Sequence, residues 1–289
     1  MLRADAWQRL RWRWRRARKV LSYFRLQTPR DAWVIAQFLW WTLAEAARLA
    51  LRNRRTVTCP CCGWSGNAFF PVYWVSECKR NSRCPRCYSE QRHRLVLRYM
   101  RERLDLEDGR PRRVLHVSPE RSLQMALKAL PEVRYVSFDL TSEPLAAAID
   151  ARMDITALAF ANETFDVIVC NHVLEHIPDD RRAMAELRRV LKDDGYAIVM
   201  VPLKDIPHTV EYARPDPRDW YHVRRYGRDY PLRLAEAGFQ VTVDSYACDL
   251  PDEVVRHESL FREPIFVVRK GPRHPPGVIG SLPVRPSSA

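Results

Sequence analysis

Residues 164–202 leave this chain few folds to choose from. Two short apolar runs, 165–170 and 196–201, are continuous rather than alternating, the pattern of strands buried on both faces of a parallel sheet. Between them Ala183, Met184, Leu187, Val190 and Leu191 fall on one helical stripe, with arginines and acids opposite. Asp179 and Asp180, just after Pro178, supply a cap and favourable charge at the helix start. Gly195 is expected to close the helix in a left-handed conformation. The unit is strand–helix–strand, and such crossovers are right-handed. At the carboxyl end of its first strand stand Asn171, His172, Glu175 and His176, at the edge where open α/β sheets collect their ligands. By residue type alone, these side chains serve equally well as caps for neighbouring backbone.

The 289 residues suffice for one α/β core plus an accessory module. The net charge of +13 is not spread evenly. Residues 1–55 hold 14 lysines and arginines against 3 acids, whereas residues 111–289 hold 24 against 26. Any attraction to nucleic acid or anionic lipid therefore comes from the first third of the chain. Six of the eight cysteines lie between Cys59 and Cys87, which points to metal binding in a reducing compartment rather than a disulfide framework. The N-terminus is arginine-rich and lacks the layout of a cleavable signal peptide, so a cytoplasmic protein is expected.

Taken in order, residues 1–30 interleave tryptophans with arginines, and residues 32–51 are apolar with a narrow polar stripe. Glu45 and Arg48 make a membrane span expensive. Three readings stand: an interfacial anchor on anionic lipid, a helical pair packed on the catalytic domain, or an RNA-binding arm. Residues 56–94 carry two Cys-x-x-Cys knuckles, Cys59/Cys62 and Cys84/Cys87, with Gly63 at the first turn. Four thiolates suit tetrahedral zinc at about 2.3 Å and leave no open position, so the expected role is a structural zinc ribbon. Cys61 and Cys78 are spare. A linker helix follows over 95–110, then an α/β domain over 111–270 and a proline-rich tail over 271–289 that is expected to be disordered. Within the domain, 114–117 and 134–140 read as strands, the second ending on Asp139, with Asp154 downstream. The polar stretch 204–226, which holds His222, reads as a long loop over the sheet edge, where substrate recognition is usual. Asp229 and Pro231 open a helix that Gly238 closes, 240–245 reads as an edge strand, and 265–269 as the last strand.

The stretch 165–202 closely resembles the fourth and fifth motifs of the S-adenosylmethionine-dependent methyltransferases of the Rossmann-like class, type-11 group. The resemblance implies an α/β Rossmann-like sheet with helices on both faces, and S-adenosylmethionine as cofactor. It implies Asp139 for the ribose hydroxyls, Asp154 for the adenine edge, and Asn171 nearby. The family usually has an acid and a glycine-rich turn after its first strand. Here His116 stands at the acid's place and Ser118-Pro119-Glu120 replaces the glycines, so His116, Ser118 and Glu120 are the cofactor candidates in that turn. The pairing of Arg92-His93-Arg94 with Leu115-His116-Val117-Ser118-Pro119-Glu120 resembles a variant seen among zinc-ribbon-headed members.

Methyl transfer from a sulfonium asks for alignment of donor and acceptor, with a histidine or carboxylate to take a proton where needed. His172, Glu175, His176 and His222 are the catalytic candidates, with His222 the preferred base and Glu175 an acceptor-positioning group. The leading expectation is a methyltransferase acting on an oxygen or nitrogen of a small-molecule, glycan or lipid-linked acceptor. An RNA methyltransferase, using Lys79, Arg80, Arg83 and Arg86 on phosphates, and a non-catalytic binding protein of the same fold are the alternatives.

Overall fold

The computed structural model describes residues 40, 56–73, 78–141 and 148–271. The chain divides into two compact units, one of residues 1–54 and 73–77, the other of 55–72 and 78–289. The first lies almost wholly outside the described residues, as do the basic helical segment 1–55 and the tail from 272 onward. Among the described residues no helix is long and apolar enough to cross a membrane.

The second unit is built on a seven-stranded sheet. In chain order its strands are β5 (Arg112–Val117), β6 (Val133–Asp139), β7 (Ala151–Arg152), β8 (Phe165–Asn171), β9 (Leu191–Met200), β12 (Phe239–Asp244) and β13 (Ile265–Lys270). Across the sheet they lie in the order β12-β13-β9-β8-β5-β6-β7. The five strands from β5 to β9 are mutually parallel, and β13 is antiparallel to both of its neighbours. This is the open, Rossmann-like methyltransferase arrangement that the central motif implied. Val114, Leu115, Val167, Ile168, Val169, Ile198 and Val199 are buried, which is why these runs are apolar without alternation.

The Asp180–Val190 helix connects β8 to β9 and buries Ala183, Met184, Leu187 and Val190. Asp179 caps it, accepting the Arg182 N–H at 3.0 Å. Gly195 does not close this helix. The helix passes directly into extended backbone at Leu191 (φ −72°, ψ 138°), and Gly195 lies inside β9. The pairing of β8 with β9 shifts between Phe165 and Val167, because Leu191 and Tyr196 are separated by more residues than their partners are. Within the extra residues of β9, Gly195 passes the β8 backbone so closely that a Cβ would stand 2.8 Å from the Asp166 carbonyl oxygen. Glycine is needed there for close approach, not for handedness.

A second difference concerns residues 204–226. Instead of an irregular loop they form a hairpin, β10 (Val210–Asp216) against β11 (His222–Arg225), with a short helical turn at Pro217–Asp219. Further on, Asp229 and Pro231 do stand at the start of the Tyr230–Glu236 helix, and Gly238 follows its end at φ +87°. Strand β12 is at the sheet edge and β13 sits inside it.

The cysteine-rich region contributes β1 (Val57–Thr58), β2 (Ser65–Gly66), β3 (Phe70–Tyr73) and β4 (Cys78–Arg83), in two small antiparallel or paired ribbons. The Gln91–Arg103 helix follows and buries Leu95, Val96, Leu97, Tyr99 and Met100. Arg94 on this helix is completely buried. Its guanidinium donates to the carbonyls of Ser82, Ser89, Glu258 and Ser259 at 2.7–2.9 Å and lies 4.1 Å from the Phe69 ring centre. A buried cation is tolerable only with its donors used, and here they are.

Candidate functional site

The chain runs outward from β5 to β7, then returns to place β8 on the other side of β5. Ligands of such sheets bind beyond the carboxyl ends of the strands at this reversal, and most of the residues singled out above meet there. The turn after β5 holds Ser118 at φ +47°, a left-handed conformation that a glycine would adopt more cheaply. Its hydroxyl donates to Asp139 Oδ2 at 2.8 Å, and its N–H to the Phe138 carbonyl at 2.8 Å, tying this turn to the tip of β6. Asp139 Oδ1 accepts the Thr141 N–H at 3.2 Å. At the tip of β8, Asn171 is only 5% exposed, and among the described residues neither its amide oxygen nor its amide nitrogen has a hydrogen-bond partner. Buried amides are rarely left so. Asp154 is exposed and accepts the Thr156 N–H and hydroxyl, both at 2.8 Å, bonds that lower its pKa.

His116 and Glu120 form a buried relay rather than an open cradle. His116 is completely buried, with Nδ1 2.9 Å from Tyr135 Oη and Nε2 2.7 Å from Glu120 Oε2. The other carboxylate oxygen lies 3.5 Å from His93 Nε2. His93 Nδ1 accepts the Glu90 N–H at 3.1 Å, so the neutral ring carries its proton on Nε2, facing Glu120. Burial pushes His93 down to about 4. Burial opposes the Glu120 charge, but His93, His116 and Arg92 prevail and hold that carboxyl down at about 2. The two sequence motifs that share the Arg-His-Arg and His-Val-x-Pro-Glu patterns are thus in direct contact. His93 is marked in the sequence only by the Arg92-His93-Arg94 resemblance, since a lone histidine on an apolar helix face is usually core.

The remaining candidates cluster past β8. His172 follows Asn171 at φ +55°, its N–H bonded to the Met200 carbonyl at 2.8 Å. A single helical turn, Leu174–His176, then brings in Glu175, which is 1% exposed. Its Oε1 is 3.4 Å from His172 Nδ1, and Oε2 has no hydrogen-bond partner among the described residues. The hairpin sets His222 opposite, its ring edge-on to His176 with centres 4.7 Å apart. Burial pushes the His222 pKa down, outweighing the Glu175 carboxylate.

Why the hairpin sits there is clear from Arg224. This buried guanidinium donates to the carbonyls of Leu174, Ile177 and Pro178 at 2.5–2.8 Å and to Glu211 Oε2 at 2.9 Å. Beside it Asp180, 1% exposed, accepts from Arg233 Nε and Nη2 at 2.7 Å and from the Tyr226 hydroxyl at 2.5 Å. From the sequence, Asp180 was expected only to supply a cap and favourable charge at the helix start. Its partners are 44 to 53 residues away, so no local pattern could reveal the network.

The cysteine site lies apart from this edge. Cys59, Cys62, Cys84 and Cys87 each offer a sulfur, all within 4.8 Å of one another. Cys59 and Cys87 are 3.6 Å apart, Cys62 and Cys84 3.7 Å. Gly63, at φ +68°, donates its N–H to the Cys59 carbonyl at 2.8 Å and closes the first knuckle. Such a donor set suits one tetrahedral metal ion.

Comparison with known proteins bears on this geometry. The model of the "Methyltransferase domain" family matches residues 117–199, from the end of β5 to the end of β9. The Escherichia coli protein YafE is 32% identical over 153 residues, 46% of this chain and 72% of YafE. The Methanocaldococcus jannaschii protein MJ0638 is 44% identical over 52 residues, but that spans only 18% of this chain and 23% of MJ0638. Among solved structures, Burkholderia thailandensis 1,6-didemethyltoxoflavin-N1-methyltransferase is 16% identical, covering 70% of this chain and 99% of its own, at a TM-score of 0.40. With the family's matched segment spanning the parallel core and its ligand edge, and with most of YafE covered, the chain belongs to the methyltransferase domain family.

Proposed function

We propose that this protein transfers a methyl group from S-adenosylmethionine to an oxygen or nitrogen of a small-molecule, glycan or lipid-linked acceptor. The observation that carries the reading is the unpartnered amide of Asn171 at the reversal point, one strand from the Ser118 turn and two from the Asp139 carboxylate. A buried amide with four unused hydrogen-bonding positions, beside a strand-tip carboxylate with spare lone pairs, fits a ligand both polar and hydroxylated. The residues present fit the cofactor. Asp139 would accept from the ribose hydroxyls and Asn171 would bond the amino-acid part. Asp154 would accept from the adenine amine. Ser118 supplies the left-handed turn that glycine supplies elsewhere, and His116 acts through Glu120 to hold that turn.

When bound, the cofactor supplies an electrophilic methyl group on sulfur. The chain's own residues align the acceptor and receive its proton. His222 is the preferred base, because its lowered pKa leaves the ring neutral near pH 7 and able to accept. Glu175, His172 and His176 would position the acceptor. The test is calorimetry with S-adenosylmethionine on wild type and Asp139→Ala. Wild type is expected to bind, and the variant to bind at least about tenfold more weakly, since charge-assisted hydrogen bonds contribute about 1.5–3 kcal/mol each. Asp139 also accepts from Ser118 and Thr141, so the variant's melting temperature should fall modestly, and affinity is compared at a temperature where both proteins are folded. No binding by wild type at millimolar cofactor would leave a fold without the activity.

We also propose a structural zinc in the cysteine quartet, and an anionic membrane surface as the partner of residues 1–55, because their charge is concentrated there. Deleting 1–55 should release the protein from vesicles containing anionic lipid. Equal vesicle binding by both forms, or RNA binding that collapses on deletion with a steep salt slope, would transfer the proposal to RNA.

A further inference from the structure

Glu175 poses a problem that hydrogen bonding within the protein does not solve. The side chain is almost completely buried, one carboxylate oxygen has no hydrogen-bond partner, and its ion-pair contact is the histidine at 172 rather than a lysine or arginine among the described residues. A buried carboxylate in that state is expensive unless a proton or a cation compensates it. The groups around it favour a cation. Glu175, His176 and His222 each present one ligand atom, all within 4.8 Å of one another.

We propose that Glu175, His176 and His222 bind a divalent transition-metal ion at the carboxyl edge of β8. Two imidazoles and one carboxylate form a donor set suited to zinc and its neighbours, and three protein ligands leave coordination positions open. Bonds of about 2.0–2.2 Å would draw the three groups closer by side-chain rotation. His176 is exposed and free to make that adjustment, while Glu175 and His222 are fixed by burial. An outer carboxylate stands just beyond hydrogen-bond distance. Asp219 Oδ2 lies 3.6 Å from His222 Nδ1 and is itself held by Tyr212 Oη at 3.0 Å and Arg225 Nε at 2.7 Å. A carboxylate behind one ring nitrogen orients the other toward a metal and raises its basicity. The hairpin thus supplies both a ligand and its support.

The role of the ion rests on the methyltransferase reading; its presence does not. At the open positions the ion would take an acceptor hydroxyl and make it more acidic. The oxygen would lose its proton to His172, its lone pair would form the new C–O bond, and the methyl–sulfur bond would break with its electrons returning to sulfur. In the metal-bound protein His222 is then a ligand, and the acceptor class narrows to hydroxyl compounds that can chelate.

The test measures zinc per chain on the full-length protein after equilibration with zinc and removal of the excess. His176→Ala, which alters an exposed side chain, and Glu175→Gln, which keeps the shape, should each hold about one ion fewer than wild type. Cys62→Ser should lose its ion independently. Asp219→Asn should keep the ion but bind it about tenfold more weakly. Equal zinc in wild type, His176→Ala and Glu175→Gln would overturn the proposal. S-adenosylmethionine binding on the same samples separates the two readings: a one-ion difference without cofactor binding supports the metal site and ends the methyltransferase assignment.

Discussion

Asn171→Leu is the sharpest probe of the cofactor edge, because the structure predicts opposite signs for two measurements. In the free protein the amide is buried with both polar atoms unpartnered. Each unmade hydrogen bond of a desolvated group costs about 1–3 kcal/mol. Leucine has nearly the same shape and no polar atoms, so the change removes that penalty and keeps the volume filled. Occasional water at a 5% exposed side chain reduces the gain, which leaves an expected stabilisation of about 1–2 kcal/mol. In a domain of this size that is a rise in melting temperature of roughly 2–8 °C. Binding should move the other way. Losing the amide's bonds to the amino-acid part of S-adenosylmethionine, and leaving that polar group unpaired, should weaken affinity about tenfold or more. Thermal melts and calorimetry on one preparation read both quantities. A lower melting temperature with unchanged affinity would refute the reasoning and make Asn171 an internal structural group.

Two further outcomes follow from the geometry. Cys59→Ser, or prolonged chelation, should lower the urea midpoint and abolish one equivalent of bound zinc, because metal binding and the folding of so small a module are coupled; unchanged midpoint and metal content would exclude the quartet as a metal site. Acidification should destabilise the protein in two overlapping steps. His93, whose folded value of about 4 lies below its ordinary 6.5, favours the fold while neutral, so that contribution is lost as pH falls from about 6.5 through 4. Glu120, held at about 2, contributes above about 4.5 and is lost as pH falls from there through 2. Urea midpoints at pH 7, 5 and 4 should decline in order, and His93→Gln should flatten the first step; equal midpoints at pH 7 and 4.5 would contradict it.

The parallel core was readable because strands buried on both faces must be apolar throughout, and β8 and β9 are. The cysteine knuckles were readable because metal geometry fixes their spacing. Gly195 was misread because a glycine after a helix has two uses, and only the β8–β9 register distinguishes close approach from a left-handed cap. The hairpin over 210–225 was hidden by its exposure: β10 alternates little and buries little, so periodicity had nothing to register. That His222 belongs with Glu175 and His176 was expected from the sheet edge, but the contact that holds it there was not legible, since it depends on Arg224 reaching carbonyls 46 to 50 residues away. Position at the sheet edge follows from local pattern, whereas the partners of buried charges follow only from the closed fold.

Arg94 sets an order on the birth of this protein. The cysteine module comes early in the sequence, yet two of the carbonyls that receive its buried guanidinium belong to Glu258 and Ser259, 164 and 165 residues later. During synthesis those acceptors do not exist until nearly the whole sheet has been made. Until residues 258 and 259 are present, the cation's carbonyl acceptors are those of Ser82 and Ser89 alone. A chain cut before residue 258 would therefore leave the Arg94 guanidinium without two of its four carbonyl acceptors, and a buried cation without its donors used is costly.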